Sequence, residues 1–251
     1  MKRSTVGVLF FVSGVFLLFI FAFTLPFATE GQPSLLAQVS GYALAIIPIA
    51  LILHGLLYMT YSLDTPWLLC VGAATAILGF LIVFLTRPDI LAEGPRFLPL
   101  AALVLSNTLR VICAASLALA LARYVLSPGI ALLIAGVATA SDIFSVFAGP
   151  TKALLQWDSP ALDFLLLIFP VFGTSLGFGL GLSDFVFLAL FAYVSYLLNL
   201  HYYPTLAFGG LAVVIALSAG LLLQRPLPAL PFISLSFVLV NALPFYSRLA
   251  K

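Results

Sequence analysis

Long apolar runs separated by short polar breaks dominate the chain. The runs lie near residues 5–28, 35–61, 67–86, 97–124, 128–148, 178–199, 203–223 and 227–247. A helix needs about 20 mostly apolar residues to cross a bilayer, so the pattern predicts about eight spans. Turn and charge signals mark the breaks: Glu30-Gly31-Gln32-Pro33, Asp64-Thr65-Pro66, the stretch from Arg87 to Arg96, Ser127-Pro128-Gly129 and Arg225-Pro226. The one long interruption runs from Gly149 to about Gly177. It opens on Gly149-Pro150-Thr151-Lys152 and contains Asp158, Pro160 and Asp163. The apolar stretch that follows, Phe164 to Phe172, is broken by Pro170 and is too short to span. It precedes a glycine-rich run, which predicts a short strand or re-entrant insertion rather than a further helix. The first run follows Met1-Lys2-Arg3 and exceeds the roughly 7–15-residue apolar core of a signal peptide. It is read as the first span.

Composition turns this pattern into a statement about environment. Hydrophobic residues make up 64% of the 251 positions and charged residues 7%, with a mean hydropathy of +1.27. Soluble domains carry roughly 25% charged residues, so this chain cannot clothe a water-facing surface. The expected fold class is all-α: a polytopic transmembrane helical bundle in a lipid bilayer, forming one membrane domain over residues 1–251. Helices of residues 1–127 come first, and helices of 128–251 carry the chemistry and the 149–177 loop. A formal charge of +2, scattered along the chain, offers no basic stripe for nucleic acid. Cys70 and Cys113 lie in apolar runs with no Cys or His at ligand spacing, so neither a disulfide framework nor a metal site is expected. No organic cofactor is expected either.

Of eight acidic residues, six fall in or beside the breaks. Asp142 and Asp184 do not. Each is expected about six residues inside a helix, at the end facing the 149–177 loop, or roughly 9 Å deep at about 1.5 Å per residue. One helix enters the loop and the other leaves it, so both carboxyls belong to one leaflet. An ionisable residue in a span costs at least about 2.5–3.5 kcal/mol and is a functional hypothesis by default. Two carboxyls at matched depth in a low dielectric cannot both ionise easily, and one proton is then shared between them. Aspartic proteases use that arrangement: one carboxylate takes a proton from water while its protonated partner polarises the peptide carbonyl. Spacing alone also admits a proton relay, an ion site, or one aspartate paired structurally with Arg110.

Local sequence narrows the choice. Asp142 sits in Ser141-Asp142-Ile143-Phe144, Asp184 in Gly179-Leu180-Gly181-Leu182-Ser183-Asp184-Phe185, and Leu227-Pro228-Ala229-Leu230-Pro231 follows downstream. In this order, over roughly residues 128–247, the three motifs resemble those of the presenilin and signal-peptide-peptidase family of intramembrane aspartyl proteases. That family has Tyr-Asp on one helix, Gly-x-Gly-Asp on the next and Pro-Ala-Leu opening the last. Here Ser141 replaces the tyrosine and Ser183 the glycine before the second aspartate, and the family has nine spans. The resemblance implies catalytic Asp142 and Asp184, with Gly181, Leu182, Ser183, Pro228, Ala229 and Leu230 at the substrate. It also implies cleavage of transmembrane segments or remnant signal peptides, by a prokaryotic relative in the cell membrane.

Helix parity adds that 178–199 crosses and 203–223 returns, which brings Pro228-Ala229-Leu230 back to the aspartate side. Pro226, Pro228 and Pro231 lack amide protons and leave carbonyls free to line a wet cavity or to bond an unwound substrate. A strand at 164–172 would offer such a substrate an edge. Arg110, the one basic residue deep in a span, is expected to bond backbone carbonyls and Asn107, one turn earlier. His54 reads as a hydrogen-bonded core residue and Lys152 as a surface marker. Gly173, Gly177, Gly179 and Gly181 suit close packing or flexibility beside Asp184. The alternative from another class is a proton- or cation-coupled transporter using the same aspartates. A prepilin-type peptidase also uses Gly-x-Gly-Asp but lacks Pro-Ala-Leu.

Overall fold

The computed structural model describes residues 3–24, 35–85, 97–149, 164–170, 177–225 and 227–249. The expected breaks at 30–33 and 87–96, together with Lys152, Asp158, Asp163, Gly173 and Pro226, lie outside these residues. Nine helices occur among the described residues: α1 (Arg3–Thr24), α2 (Leu35–Thr60), α3 (Thr65–Leu85), α4 (Phe97–Ala122), α5 (Pro128–Phe147), α6 (Leu182–Leu197), α7 (Tyr202–Leu222), α8 (Leu230–Val240) and α9 (Ala242–Leu249). Two strands, β1 (Leu166–Pro170) and β2 (Gly177–Gly181), precede α6.

The protein is a helical membrane protein. Among the described residues five helices are long and apolar enough to cross a bilayer: Gln38–Thr60, Thr65–Leu85, Ala101–Ala122, Pro128–Phe147 and Tyr202–Leu222. A sixth is added if Leu230–Val240 and Ala242–Arg248, bent by 63° at their junction, form one span; Thr5–Ile20 and Leu182–Leu197 are shorter apolar helices. Two of the eight apolar windows differ from the helices for visible reasons. The window from 178 yields its first four residues to β2, and the window 227–247 is broken at Asn241.

Two compact units divide the chain, one from Met1–Leu117 and Ser159–Phe185, the other from Ala118–Asp158 and Val186–Lys251. In the first unit, glycines bring helix backbones together. A Cβ at Gly55 of α2 would stand 2.5 Å from Phe11 N and 2.7 Å from Gly7 O of α1, and one at Gly14 would stand 2.8 Å from Pro48 O. Without a hydrophobic driving force between helices in lipid, such close approach supplies the van der Waals contact that holds them. Gly72 and Gly79 of α3 face Ser116, Cys113 and Arg110 of α4 less tightly, with nearest approaches of 3.5 and 3.4 Å. His54 is buried between the rings of Phe10 and Tyr58, whose centroids lie 4.7 and 4.8 Å away.

β1 and β2 form an antiparallel pair whose register runs from Leu166 opposite Gly181 to Pro170 opposite Gly177. The strand passes directly into α6. Three glycines of β2 lack a Cβ and favour no helix, so α6 starts at Leu182.

Arg110 is 1% exposed, and all five of its N–H donors end on oxygen. Nε donates to Ser106 O at 3.2 Å, and one Nη to Ser106 Oγ at 3.0 Å and Asn107 Oδ1 at 2.7 Å. The other Nη donates to Phe164 O at 3.2 Å and to Leu166 O. The permanent cation therefore fastens the start of β1 to α4.

In the second unit α5 begins at a Ser127 N-cap, whose Oγ accepts from Ile130 N, with Pro128 in the first turn. Phe191 of α6 stacks on Phe237 of α8 at 4.5 Å. At the α8–α9 bend, the buried Asn241 amide donates to Thr205 Oγ1 and Phe237 O, each at 2.9 Å, and its Oδ1 accepts from His201 N at 3.0 Å. Thr205 shares a further hydroxyl contact of 3.0 Å with Ser195. The Asn241 side chain thus ties the bend to the start of α7.

Gly55→Ala is expected to lower thermal stability in detergent by about 1–3 kcal/mol, because backbone atoms cannot yield to the added methyl. A Cβ at Gly136 meets nothing within 4 Å, so Gly136→Ala should leave the melting temperature unchanged or raise it. Equal melting temperatures for the Gly55→Ala variant and the unaltered protein would contradict the close-packed contact.

Candidate functional site

Asp142 occupies the last third of α5, half-buried. Its Oδ2 accepts a hydrogen bond of 3.0 Å from the backbone N–H of Leu230, the first residue of α8. The donors of that first turn can be followed one by one. Ala229, the N-cap, has no side-chain oxygen to offer, and Pro231 has no N–H. Phe232 N and Ile233 N both donate to Ala229 O at 3.1 Å. Leu230 N–H is left over, and Asp142 takes the part that a cap residue plays elsewhere. The acceptor is a carboxylate set at a helix N-terminus, where the partial positive charge of the helix favours an anion. Pro228, Ala229 and Leu230 are all buried. Two of the three sequence motifs, 88 residues apart, therefore meet at one hydrogen bond.

Asp184 stands in the first turn of α6, also half-buried. The sequence places it about six residues inside a helix; it is instead the third helical residue, because β2 runs through Gly181. The position still suits an acidic side chain, again at a helix N-terminus. Gly181, the last residue of β2, lies against it. A Cβ there would stand 2.9 Å from Asp184 Oδ2 and 3.5 Å from its Cγ and from Ser183 Oγ. A hydrogen at position 181 is what leaves Asp184 its present rotamer. Leu182 is half-buried and Ser183 exposed, so the hydroxymethyl group that replaces a family glycine extends outward at the strand-to-helix junction.

The structure thus groups the candidate residues in two sets. Gly181, Leu182, Ser183 and Asp184 belong to the first unit, and Asp142, Pro228, Ala229 and Leu230 to the second. Among the described residues no group of three His, Cys, Asp or Glu side chains could hold a metal ion. An open apolar groove of about 620 Å³ follows α7 and α8, lined by residues such as Phe208, Leu211, Ile215, Leu235 and Leu239; it contains neither aspartate. The partner of Asp142 was invisible as a side chain because it is a backbone amide. The signal available in sequence was the spacing of Pro228 and Pro231, which leaves Leu230 as an unclaimed donor. Neither a protein-family model nor a curated protein matches this chain.

Replacing Asp142 by Ala should release the Leu230 amide. Hydrogen exchange of a peptide covering 227–232, whose prolines leave few amides to confuse the reading, is expected to accelerate by about tenfold, the equivalent of one hydrogen bond. Asp142→Asn keeps an acceptor oxygen and should preserve the slow rate. Unchanged exchange in the alanine variant would remove the contact from the solution structure.

Proposed function

We propose that the protein is an intramembrane aspartyl endopeptidase that hydrolyses peptide bonds within transmembrane segments or remnant signal peptides. The observation that carries the reading is the bond from Leu230 N–H to Asp142 Oδ2. The Pro-Ala-Leu element and the first aspartate, linked in the sequence only by family resemblance, are in direct contact. The fit of Gly181 against Asp184 supports it from the other motif, since the first glycine of Gly-x-Gly-Asp acquires a steric reason.

In this reading Asp142 and Asp184 divide the acid and base roles. The ionised carboxylate takes a proton from water as its oxygen attacks the peptide carbonyl, and the protonated carboxyl gives its proton to the carbonyl oxygen. Collapse of the resulting diol breaks the C–N bond: the amine leaves with a proton returned by the first carboxyl, and the second carboxylate recovers its own from a diol hydroxyl as the new carboxyl group forms. A substrate helix guards its peptide bonds by internal hydrogen bonding and must unwind first. Pro228 and Pro231 interrupt the regular backbone ladder where an extended segment can bond. The β1–β2 pair offers a strand edge to the same segment. Leu182 and Ser183, beside Asp184, contact the substrate and shape preference.

Asp142→Ala and Asp184→Ala should each lower cleavage of a membrane-embedded peptide by at least about 10²–10⁴-fold while expression holds, and Asp142→Asn, which keeps an acceptor for Leu230 N–H, should do so with the melting temperature unchanged. Cleavage retained by either variant would refute the assignment. Absence of cleavage together with aspartate-dependent ion or solute uptake in proteoliposomes would favour a coupled transporter. Gly181→Ala should push the Asp184 carboxyl aside and cost roughly tenfold or more in kcat, with little change in stability. Full activity in that variant would show that the contact does not matter to turnover.

A further inference from the structure

We infer that Arg110 is a positioning residue for Asp184, acting through the register of the β1–β2 pair. This rests on the reading of Asp184 as a reacting group, but its first step is structural and can be tested without any activity.

The connection runs through contacts within one unit. Arg110 is buried in α4 and oriented by its own helix, through Ser106 O, Ser106 Oγ and Asn107 Oδ1. Three of its five donors are used there, which fixes the plane of the guanidinium. The remaining two reach Phe164 O and Leu166 O. Those carbonyls lie two residues apart at the entry to β1, so a planar fork grips the strand at one place along its length. The α3 helix gives the stem room: a Cβ at Gly79 would already touch Arg110 Cγ at 3.4 Å. Phe80 adds an edge-on ring contact with Phe164 at 5.7 Å.

Leu166, the gripped residue, is also the register partner of Gly181. Gly181 is the residue whose missing side chain leaves space for Asp184 Oδ2. A strand slip of one residue turns every side chain to the opposite face, and glycine-rich strands specify register weakly. β2 reads Gly177-Phe178-Gly179-Leu180-Gly181. Its own side chains leave the alignment poorly determined, and an external clamp on β1 supplies what they lack. Without that clamp, another register would set a bulkier neighbour opposite Leu166 and carry the first turn of α6 to a different place. The effect of Arg110 on Asp184 is transmitted by strand alignment.

The test uses a cross-strand cysteine pair in the full-length protein, with Cys70 and Cys113 replaced by Ala. Leu167 and Leu180 face each other across the pair. Opposed residues in an antiparallel pair have a Cα separation within disulfide range. In Leu167→Cys/Leu180→Cys protein a membrane-permeant oxidant should form the bond efficiently. Adding Arg110→Met is expected to lower the yield about tenfold. Arg110→Lys keeps the charge but not the fork, so it should give an intermediate yield and serves if the Met variant fails to fold. An unchanged yield in a folded Arg110 variant overturns the inference, whatever reaction the protein performs.

Kinetics then address Asp184. Arg110→Lys should lower kcat by roughly 10–100-fold with KM near that of the unaltered protein. Oxidising the cysteine pair in that background should restore most of kcat, because the disulfide imposes the register that the guanidinium otherwise holds. A general packing defect or a direct charge effect on the aspartate would not be repaired by a bond between Leu167→Cys and Leu180→Cys. Failure of restoration when the disulfide has formed overturns the link to Asp184. Absence of cleavage in the unaltered protein overturns the protease reading instead and leaves the disulfide yields to decide the register claim.

Discussion

In a hydrocarbon medium no water compensates an open backbone amide or carbonyl, and each one left unpaired costs several kcal/mol. Regular helices meet that demand by themselves. A departure from regular helix must find its partners in another strand or in a side chain. Three such departures stand out, and each is matched by one polar residue. The entry to β1 exposes carbonyls, and Arg110 takes two of them. The bend between α8 and α9 is closed by Asn241, which serves Phe237 O, Thr205 Oγ1 and His201 N. The first amide of α8 is taken by Asp142. These three residues mark where the described fold leaves the ordinary pattern of a spanning bundle.

The third case differs from the other two in chemistry. Arg110 and Asn241 hold several partners apiece, as structural groups do. Asp142 makes its recorded bond through one oxygen, to a helix end preceded by Pro228 and followed by Pro231. A carboxyl with acceptor capacity in reserve, set beside backbone that cannot form a complete helical ladder, is suited to water and to an extended chain. Asp184 is similarly placed at a helix start, with glycine rather than proline removing the obstruction. In both places irregular backbone and an acidic side chain coincide.

Much of the helical scaffold was legible, for a plain reason: helix composition in lipid is coded by hydropathy alone, and α2 to α5 and α7 follow their apolar windows closely. Arg110 was also readable, because a lone deep cation with Asn107 a turn earlier has few ways to satisfy its donors. The start of α6 was not. Leu180 and Phe178 keep the hydropathy high through Gly177, Gly179 and Gly181, so a window average continues a helix across residues whose lack of Cβ atoms permits a strand. The break at Asn241 escaped for the opposite reason: one buried amide in a strongly apolar run barely changes the average, although its side chain bonds three groups. At the candidate site, motif order singles out the aspartates as candidates, but the Asp142 contact depends on a main-chain donor that residue type cannot announce.

The shortness of α8 has an effect outside the protein. Its 11 residues rise only about 16 Å, roughly half of a hydrocarbon core near 30 Å thick. The 63° turn at Asn241 makes α9 gain little further height. Leu235 and Leu239 on α8 are exposed, so acyl chains packed against α8 alone would meet an apolar wall lower than themselves. Lipids answer such hydrophobic mismatch by thinning. A local dimple in the bilayer next to α8 would shorten the path by which water approaches the membrane interior.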